Sequence, residues 1–378
     1  MFVWQCPEWP SWQVDLAVLQ PELSAARLAQ GRMLGMAQTL QLLDHQRQAV
    51  YGWTLEAVAT AQIEGESLPL HSVRASAARR LGLTPDAAAR SDPRTEATLD
   101  VLEAAVRSWE AELHEETLFA WHAALFPTGR SGVRRIAVGR WRDHAEPMQI
   151  VTSRLGKPDL VHYEAPRSAQ VAREMQALLT WFNGPARQQD GLVRAALAHG
   201  WFEAVHPFED GNGRIGRALA EHAVAQDMRS DRRLFSLSEQ LWQERKAYYA
   251  ELQVLTGTAS LDATRWVAWF VGRLQAAFDH ACHQMGRATD RARFHAHLAS
   301  SYPGLSQAQR KALDKLFEAG ESGFKGGLST EKFVNFTGVS RATAYRDLSA
   351  LVQAGLLQAT GQGRGTRYRL PPQLQRDQ

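Results

Sequence analysis

The chain has 378 residues, 44% hydrophobic and 22% charged, a balance that suits two or three globular domains. No uninterrupted apolar run approaches the ~20 residues that a membrane-spanning helix requires. The formal net charge of +3 is too small to give the whole chain an affinity for nucleic acid, but its distribution is uneven. From Leu305 to Leu370 ten Lys/Arg stand against five Asp/Glu, so the basic character sits in the C-terminal segment. The N-terminus, Met1-Phe-Val-Trp-Gln-Cys, lacks a basic segment followed by an apolar core, so no secretory signal is expected. Cys6 and Cys282 are far apart and form no metal spacing, which points to a reducing, cytoplasmic setting.

The predicted elements are mostly helical. Trp4, Trp9 and Trp12 open the chain and are expected to pack rather than to bind. Gln46–Ile63 carries a helical stripe of Val50, Trp53, Ala57, Val58 and Ala61, ended by Gly65 and Pro69. Ala75–Arg90 is rich in Ala and Arg and is expected to be a mobile surface helix. Arg94–Ala111 is a further helix, with Leu99, Leu102, Val106 and Trp109 on one side. Between Ser131 and Ala165, β-branched residues punctuated by Gly132, Gly139, Pro147 and Gly156 favour one or two short hairpins. Helices follow at Ala169–Phe182, Leu192–Val205 and Ile215–Met228. In the C-terminal segment come a helix at Gln307–Ala319, a capped helix at 329–338 and a further helix at Arg341–Val352. A hairpin through Leu356–Thr360 and Thr366–Leu370 completes the order of a winged helix.

The chemistry is concentrated in residues 206–217, His-Pro-Phe-Glu-Asp-Gly-Asn-Gly-Arg-Ile-Gly-Arg. Gly211 and Gly213 allow backbone angles that other residues avoid, and with Asn212 between them their N–H groups can converge on an anion. The helix restarting near Arg214 favours a phosphate at its first turn. Arg214 and Arg217 share a face of that helix, which suits a di- or triphosphate. Asp210 can hold Mg2+ together with phosphate oxygens, and His206 can take a proton near neutral pH. Gly211–Gly216 also fits G-x-G-x-x-G, but a dinucleotide fold needs a strand before it, and 195–204 reads as helix. His199 and His222 are expected to be core or helix-surface residues.

This stretch resembles the signature of Fic-domain proteins, His-Pro-Phe-x-Asp-Gly-Asn-Gly-Arg-x-x-Arg, and matches every defined position. The resemblance extends over roughly Leu113–Phe270. It implies a mainly α fold: a helical Fic core with a small β-hairpin flap, between an N-terminal helical module and a C-terminal winged-helix domain. It implies AMP transfer from ATP onto a Ser, Thr or Tyr hydroxyl of a target protein. In that scheme His206 is the base, Asp210 binds Mg2+, and Gly211, Asn212, Gly213 and Arg214 cradle phosphates. Arg217 holds the γ-phosphate, Tyr249 of the Tyr248–Tyr249 pair lies near the nucleoside, and the target docks at the flap near Met148–Val151.

Thr60-Ala-Gln-Ile-Glu-Gly65 resembles the family's inhibitory motif, in which the glutamate pairs with the second arginine of the loop. Thr60, Glu64 and Gly65 are therefore expected to be regulatory, with Glu64 opposite Arg217. The expected boundaries are 1–110 for the N-terminal module, 111–280 for the core, 281–304 for a linker or helix, and 305–372 for the winged helix. Arg341, Thr343, Tyr345, Arg346, Arg364, Arg367 and Arg369 are placed to meet DNA, a protein surface or a second copy. A regulator that binds DNA and modifies itself, or transfer from a nucleotide other than ATP, remain the alternatives.

Overall fold

The computed structural model describes residues 1–40, 42–83, 92–154, 157–319, 326–372 and 374. It divides into two compact units, Met1–Met285 and Gly286–Gln378. Both are mainly helical. Among the described residues no helix is long and apolar enough to cross a membrane.

In the first unit the helices are α1 (Leu16–Thr39), α2 (Leu42–Ile63), α3 (Leu70–Arg80), α4 (Pro93–Arg107) and α5 (Glu115–Leu125). Two hairpins follow, β1–β2 (Arg130–Ser131, Arg134–Arg135) and β3–β4 (Gln149–Arg154, Lys157–Glu164). Then come α6 (Ser168–Asn183), α7 (Gly191–Val205), α8 (Asn212–Met228), α9 (Leu237–Gln243) and α10 (Arg245–Gly257). A long helix, α11 (Thr264–Ser301), supplies its first part to this unit and runs through the segment read as 281–304 linker or helix.

α7 is the centre of the unit. Every residue from Gly191 to Val205 is buried, as expected of a helix that is apolar on all sides and surrounded by others. It starts where the Asp190 carboxylate accepts the N–H groups of Leu192 and Val193. α8 packs along it, and α6 and α10 flank it. Capping also sets other starts: Asp15 for α1, and Asp92 followed by Pro93 for α4.

α3 corrects the expectation of a mobile surface helix over Ala75–Arg90. The helix ends at Arg80, and Val73, Ala75, Ser76 and Ala77 are buried against α2 and α4. Small side chains allow that close approach, and Arg80 ties the helix down to Glu96, Asp100 and Glu103 of α4. Residues 84–90 of that expectation lie outside the described residues. The helix expected over Arg94–Ala111 stops at Arg107.

The β3–β4 hairpin is antiparallel, with Gln149 opposite Glu164 and Ile150 opposite Tyr163. Its base is fastened to the core: the Tyr163 hydroxyl donates to Ala204 O of α7, and Trp4 Nε1 donates to Glu164 O at 2.7 Å. Trp9 and Trp12 pack edge to face against each other, and Trp9 also meets Trp201.

The second unit has its own core of Leu313, Leu316, Leu328, Phe333, Leu348, Leu351 and Tyr368. It is built from α12 (Gln307–Ala319), α13 (Thr330–Thr337), α14 (Arg341–Gln353) and the hairpin β5–β6 (Gln358–Thr360, Arg367–Arg369). Leu328 bridges to Tyr368 and widens the hairpin.

Candidate active site

The loop 206–211 joins α7 to α8, and its shape is held by buried groups on both sides. His206 ends α7 in the left-handed region, with φ 49°, a strained setting for a side chain with a Cβ. Arg142 supports it: its Nε donates to His206 O at 2.8 Å, and its backbone N–H donates to Pro207 O at 2.9 Å. Phe208 is fully buried and stacks on His122, whose ring centroid lies 4.1 Å away. Asn212 braces the loop from inside. Its Oδ1 accepts Phe208 N–H at 2.9 Å and its Nδ2 donates to Phe208 O at 2.8 Å. Its amide is thereby committed to the loop, leaving only its backbone at the mouth of α8. Gly211 reaches φ 80° as the cap of α8, which has no side-chain cap, so the helix start is open to an anion.

Asp210 stands at this mouth. Its carboxylate accepts the Gly211 N–H at 2.6 Å and the Ser131 hydroxyl, and its side chain is 42% exposed. Among the described residues no group of three or more His, Cys, Asp or Glu is gathered for a metal. One accessible carboxylate fits Mg2+ that arrives with phosphate oxygens, not a preformed cage.

The two arginines of α8 are both engaged by the turn that ends α2. Arg217, 1% exposed in its side chain, donates from Nε to Thr60 Oγ1 at 2.8 Å and from Nη2 to Glu64 Oε1 at 2.7 Å. Burial by itself would lower its pKa, but Glu64 beside it outweighs that and holds the guanidinium above its ordinary value. Arg214 lies over the Phe126 ring and pairs with Glu66 at 3.2 Å. The motif reading did not single out Glu66, because it falls outside the motif's defined positions. Gly65, at φ 78°, turns the chain so that both glutamates face α8. Gly213 provides the clearance: a Cβ there would stand 2.3 Å from Glu64 Oε1.

Glu64, Gly213 and Arg217 open on a cavity of about 330 Å3, lined also by Ile150, Tyr163, His206 and Tyr249, among others. The flap residue Ile150 at its edge is 48% exposed. Tyr249 donates its hydroxyl to Ile63 O at 3.1 Å, whereas Tyr248 is buried with its hydroxyl 2.8 Å from His199 Nε2. Burial lowers the His206 pKa to about 4, with Arg142 adding to the effect, so the imidazole is neutral at pH 7. Glu203, one turn before His206, is pushed up to about 8 by burial. Neither Glu203 nor Arg142 was visible as a site residue. Glu203 reads as one more position of an apolar helix, and Arg142 is 64 positions from the loop carbonyl it holds.

The structure thus brings Thr60, Glu64, His206, Gly213, Arg217 and Tyr249 together, with Asp210, Gly211, Asn212 and Arg214 along the same loop. Fold and site together define a mainly helical protein with a glycine-rich loop between two central helices and a small flap hairpin. Residues 112–224, which contain that loop, match the Fic/DOC family and form a Fic/DOC domain. Residues 2–83 match a domain of unknown function, DUF4172. Residues 323–371 match the C-terminal domain of DIP2311-like transcriptional regulators. The fold is also that of solved Fic structures. A Fic family protein from Desulfovibrio desulfuricans G20 is 21% identical with a TM-score of 0.53, over 96% of this chain and 98% of that one. A Fic-domain signaling protein from Bacteroides thetaiotaomicron VPI-5482 is 18% identical with a TM-score of 0.52, over 69% of this chain and 95% of that one. Fic-1 from C. elegans is 21% identical with a TM-score of 0.50, over 73% of this chain and 75% of that one.

Proposed function

We propose that the chain is a self-inhibited protein adenylyltransferase that moves AMP from ATP to a Ser, Thr or Tyr hydroxyl of a target protein. The observation that carries this reading is Glu64 paired with Arg217 on the cavity that also holds a neutral His206. The target segment docks along the flap near Met148–Val151. His206 takes the proton of its hydroxyl as that oxygen bonds to the α-phosphorus of ATP. The bond from the α-phosphorus to the bridging oxygen breaks, and pyrophosphate leaves. The backbone of Gly211, Asn212 and Gly213, with Arg214 and the open start of α8, cradles the phosphates. Arg217 takes the γ-phosphate and Tyr249 lies beside the nucleoside. Asp210 would hold Mg2+, which when bound supplies charge neutralisation on the phosphates.

In the resting state the guanidinium meant for the γ-phosphate is occupied by Glu64, so basal transfer is low. Carboxylate and phosphate compete for the same donors. The test is incubation of wild type, Glu64→Gly and Glu64→Gly/His206→Ala with Mg2+ and α-labelled ATP, followed by intact-protein mass. An AMP-sized gain on Glu64→Gly alone is expected. Transfer only from another nucleotide would move the donor. No transfer from any nucleotide, to the chain or to lysate proteins, would overturn the reading.

A second reading joins this one: the second unit is a winged helix that binds DNA. Supporting it are the net charge of the segment and α14, where Arg341, Tyr345 and Arg346 are exposed beside buried Ala344 and Leu348. A mobility shift that weakens steeply with salt, and is lost in Arg341→Ala/Arg346→Ala, is the expected result.

A further inference from the structure

We propose that Glu203 is the positioning residue of the base: its carboxyl accepts the Nδ1–H of His206 and keeps the ring in the tautomer whose Nε2 lone pair is free for the target hydroxyl. The inference rests on the reading of His206 as the base.

The geometry is local and buried. Glu203 Oε2 lies 3.8 Å from His206 Nδ1, one helical turn apart, and the two side chains are about 10% and 21% exposed. His206 Nδ1 and Glu203 Oε1 are shielded from solvent, and neither has a hydrogen-bond partner. A buried ring nitrogen without a partner is costly, and Glu203 offers it both a backbone carbonyl and a carboxyl. At 3.8 Å the pair lies beyond hydrogen-bond length and must approach by about 1 Å to bond; catalytic hydrogen bonds commonly tighten only when substrate is bound. The imidazole edge that remains lines the cavity.

The seat of Glu203 is built by a glycine at a position the loop signature leaves open. A Cβ on Gly216 would stand 2.7 Å from Glu203 Oε1 and 3.1 Å from His199 Nδ1. A methyl there would have to displace that carboxyl from its present seat. Other charged or titratable groups face this pocket from every side: His199 on α7, Arg217 on α8, Glu64 at the end of α2 and Tyr248 on α10. Arg217 draws the Glu203 carboxyl toward its ionised form, while Glu64 and burial oppose this. Orientation of the ring requires only an acceptor oxygen, which the neutral acid and the carboxylate both offer.

The test reads the tautomer directly, with no dependence on activity. Full-length chain labelled with 15N-histidine is compared as wild type, Glu203→Leu, Glu203→Gln and Gly216→Ala, with His206→Ala identifying the His206 signals. Wild type and Glu203→Gln, which keeps an acceptor oxygen, are expected in the Nδ1–H form. Glu203→Leu and Gly216→Ala are expected to move the population several-fold toward Nε2–H. If folded Glu203→Leu keeps the wild-type tautomer, the carbonyl suffices and the proposal falls. Should Glu203→Leu not fold, Gly216→Ala decides by the same criterion. In the Glu64→Gly background, Glu203→Leu should lower kcat about 10-fold or more with KM for ATP unchanged, and Glu203→Gln should restore most of it. Absence of ATP transfer in the Glu64→Gly parent itself would count against the adenylyltransferase reading, while the tautomer result would still judge Glu203.

Discussion

Arg217 is held by Thr60 and Glu64, so the proposed release means exchanging one oxygen partner for another at a single buried guanidinium. Glu64→Gly is expected to raise transfer at least several-fold over wild type, read as AMP incorporated per minute. Glu66 applies the same logic to Arg214. Glu66→Gln in the Glu64→Gly background is expected to lower KM for ATP a few-fold with kcat unchanged, because on the proposed reading it frees a cation for the phosphates without touching the base. An unchanged KM would show that Glu66 leaves the nucleotide alone. The neutral state of His206 gives a pH signature. As the proposed base His206 must be deprotonated, and burial lowers its pKa to about 4. The pH–rate profile of Glu64→Gly should therefore be flat between pH 8 and 6, whereas an unshifted histidine would lose rate through about 6.5.

The helix that carries Glu64 is anchored along its length. On α2, Glu56 is fully buried, and its carboxylate accepts from Ser236 Oγ and from the N–H and hydroxyl of Ser238. It stands 3.9 Å from Arg233, which also pairs with Glu221 at 2.6 Å. Gln48 donates to Leu234 O, and Gly52 lets α2 approach the carbonyl of Arg233. Displacing the whole helix would strip these buried partners, so the proposed release of Arg217 would be confined to the turn at 60–66. Glu56→Ala leaves Arg233 with one carboxylate fewer and takes the acceptor from the hydroxyls of Ser236 and Ser238. It is expected to cost about 3–5 kcal/mol in denaturant unfolding and to raise basal transfer as the end of α2 loosens. At this scale periodicity located α2, α4, α6, α7 and α8. It misjudged α3, whose alanines give no stripe strong enough to reveal which face is covered.

Across the whole molecule, buried titratable groups oppose each other. Burial lowers His122, His206 and His222 to about 4 and His199 to about 3. Between those values and their ordinary 6.5 the unfolded chain binds more protons, so stability falls as pH drops through that window. Burial raises Glu203 and Glu221 to about 8 from 4.5, so between those values the folded chain binds more protons and stability falls as pH rises. The four histidines outweigh the two glutamates below about 6.5, and the glutamates outweigh the fading histidine contribution above it. The melting temperature should therefore peak near pH 6.5 and decline on both sides. A melting temperature that climbs steadily to pH 8 would contradict the raised glutamates.

The sequence by itself located residues 206–217 as the candidate site, because a loop between two helices keeps its polar groups contiguous and their spacing carries their geometry. It also determined the helical class, the two hairpins and the basic C-terminal segment, since periodicity, turn residues and charge are local properties. Thr60 and Glu64 were legible only because a short motif stood beside a complete loop; their contact with Arg217 spans more than 150 positions. Tertiary structure alone decided the rest. It committed Asn212 to bracing the loop and set Glu66 on Arg214. It buried Arg142 under the carbonyl of His206 and placed Glu203 behind the ring of His206 in the space left by Gly216. Each of these depends on which face of a helix is covered and by what, and burial of that kind arises from packing between distant segments, which no local pattern records.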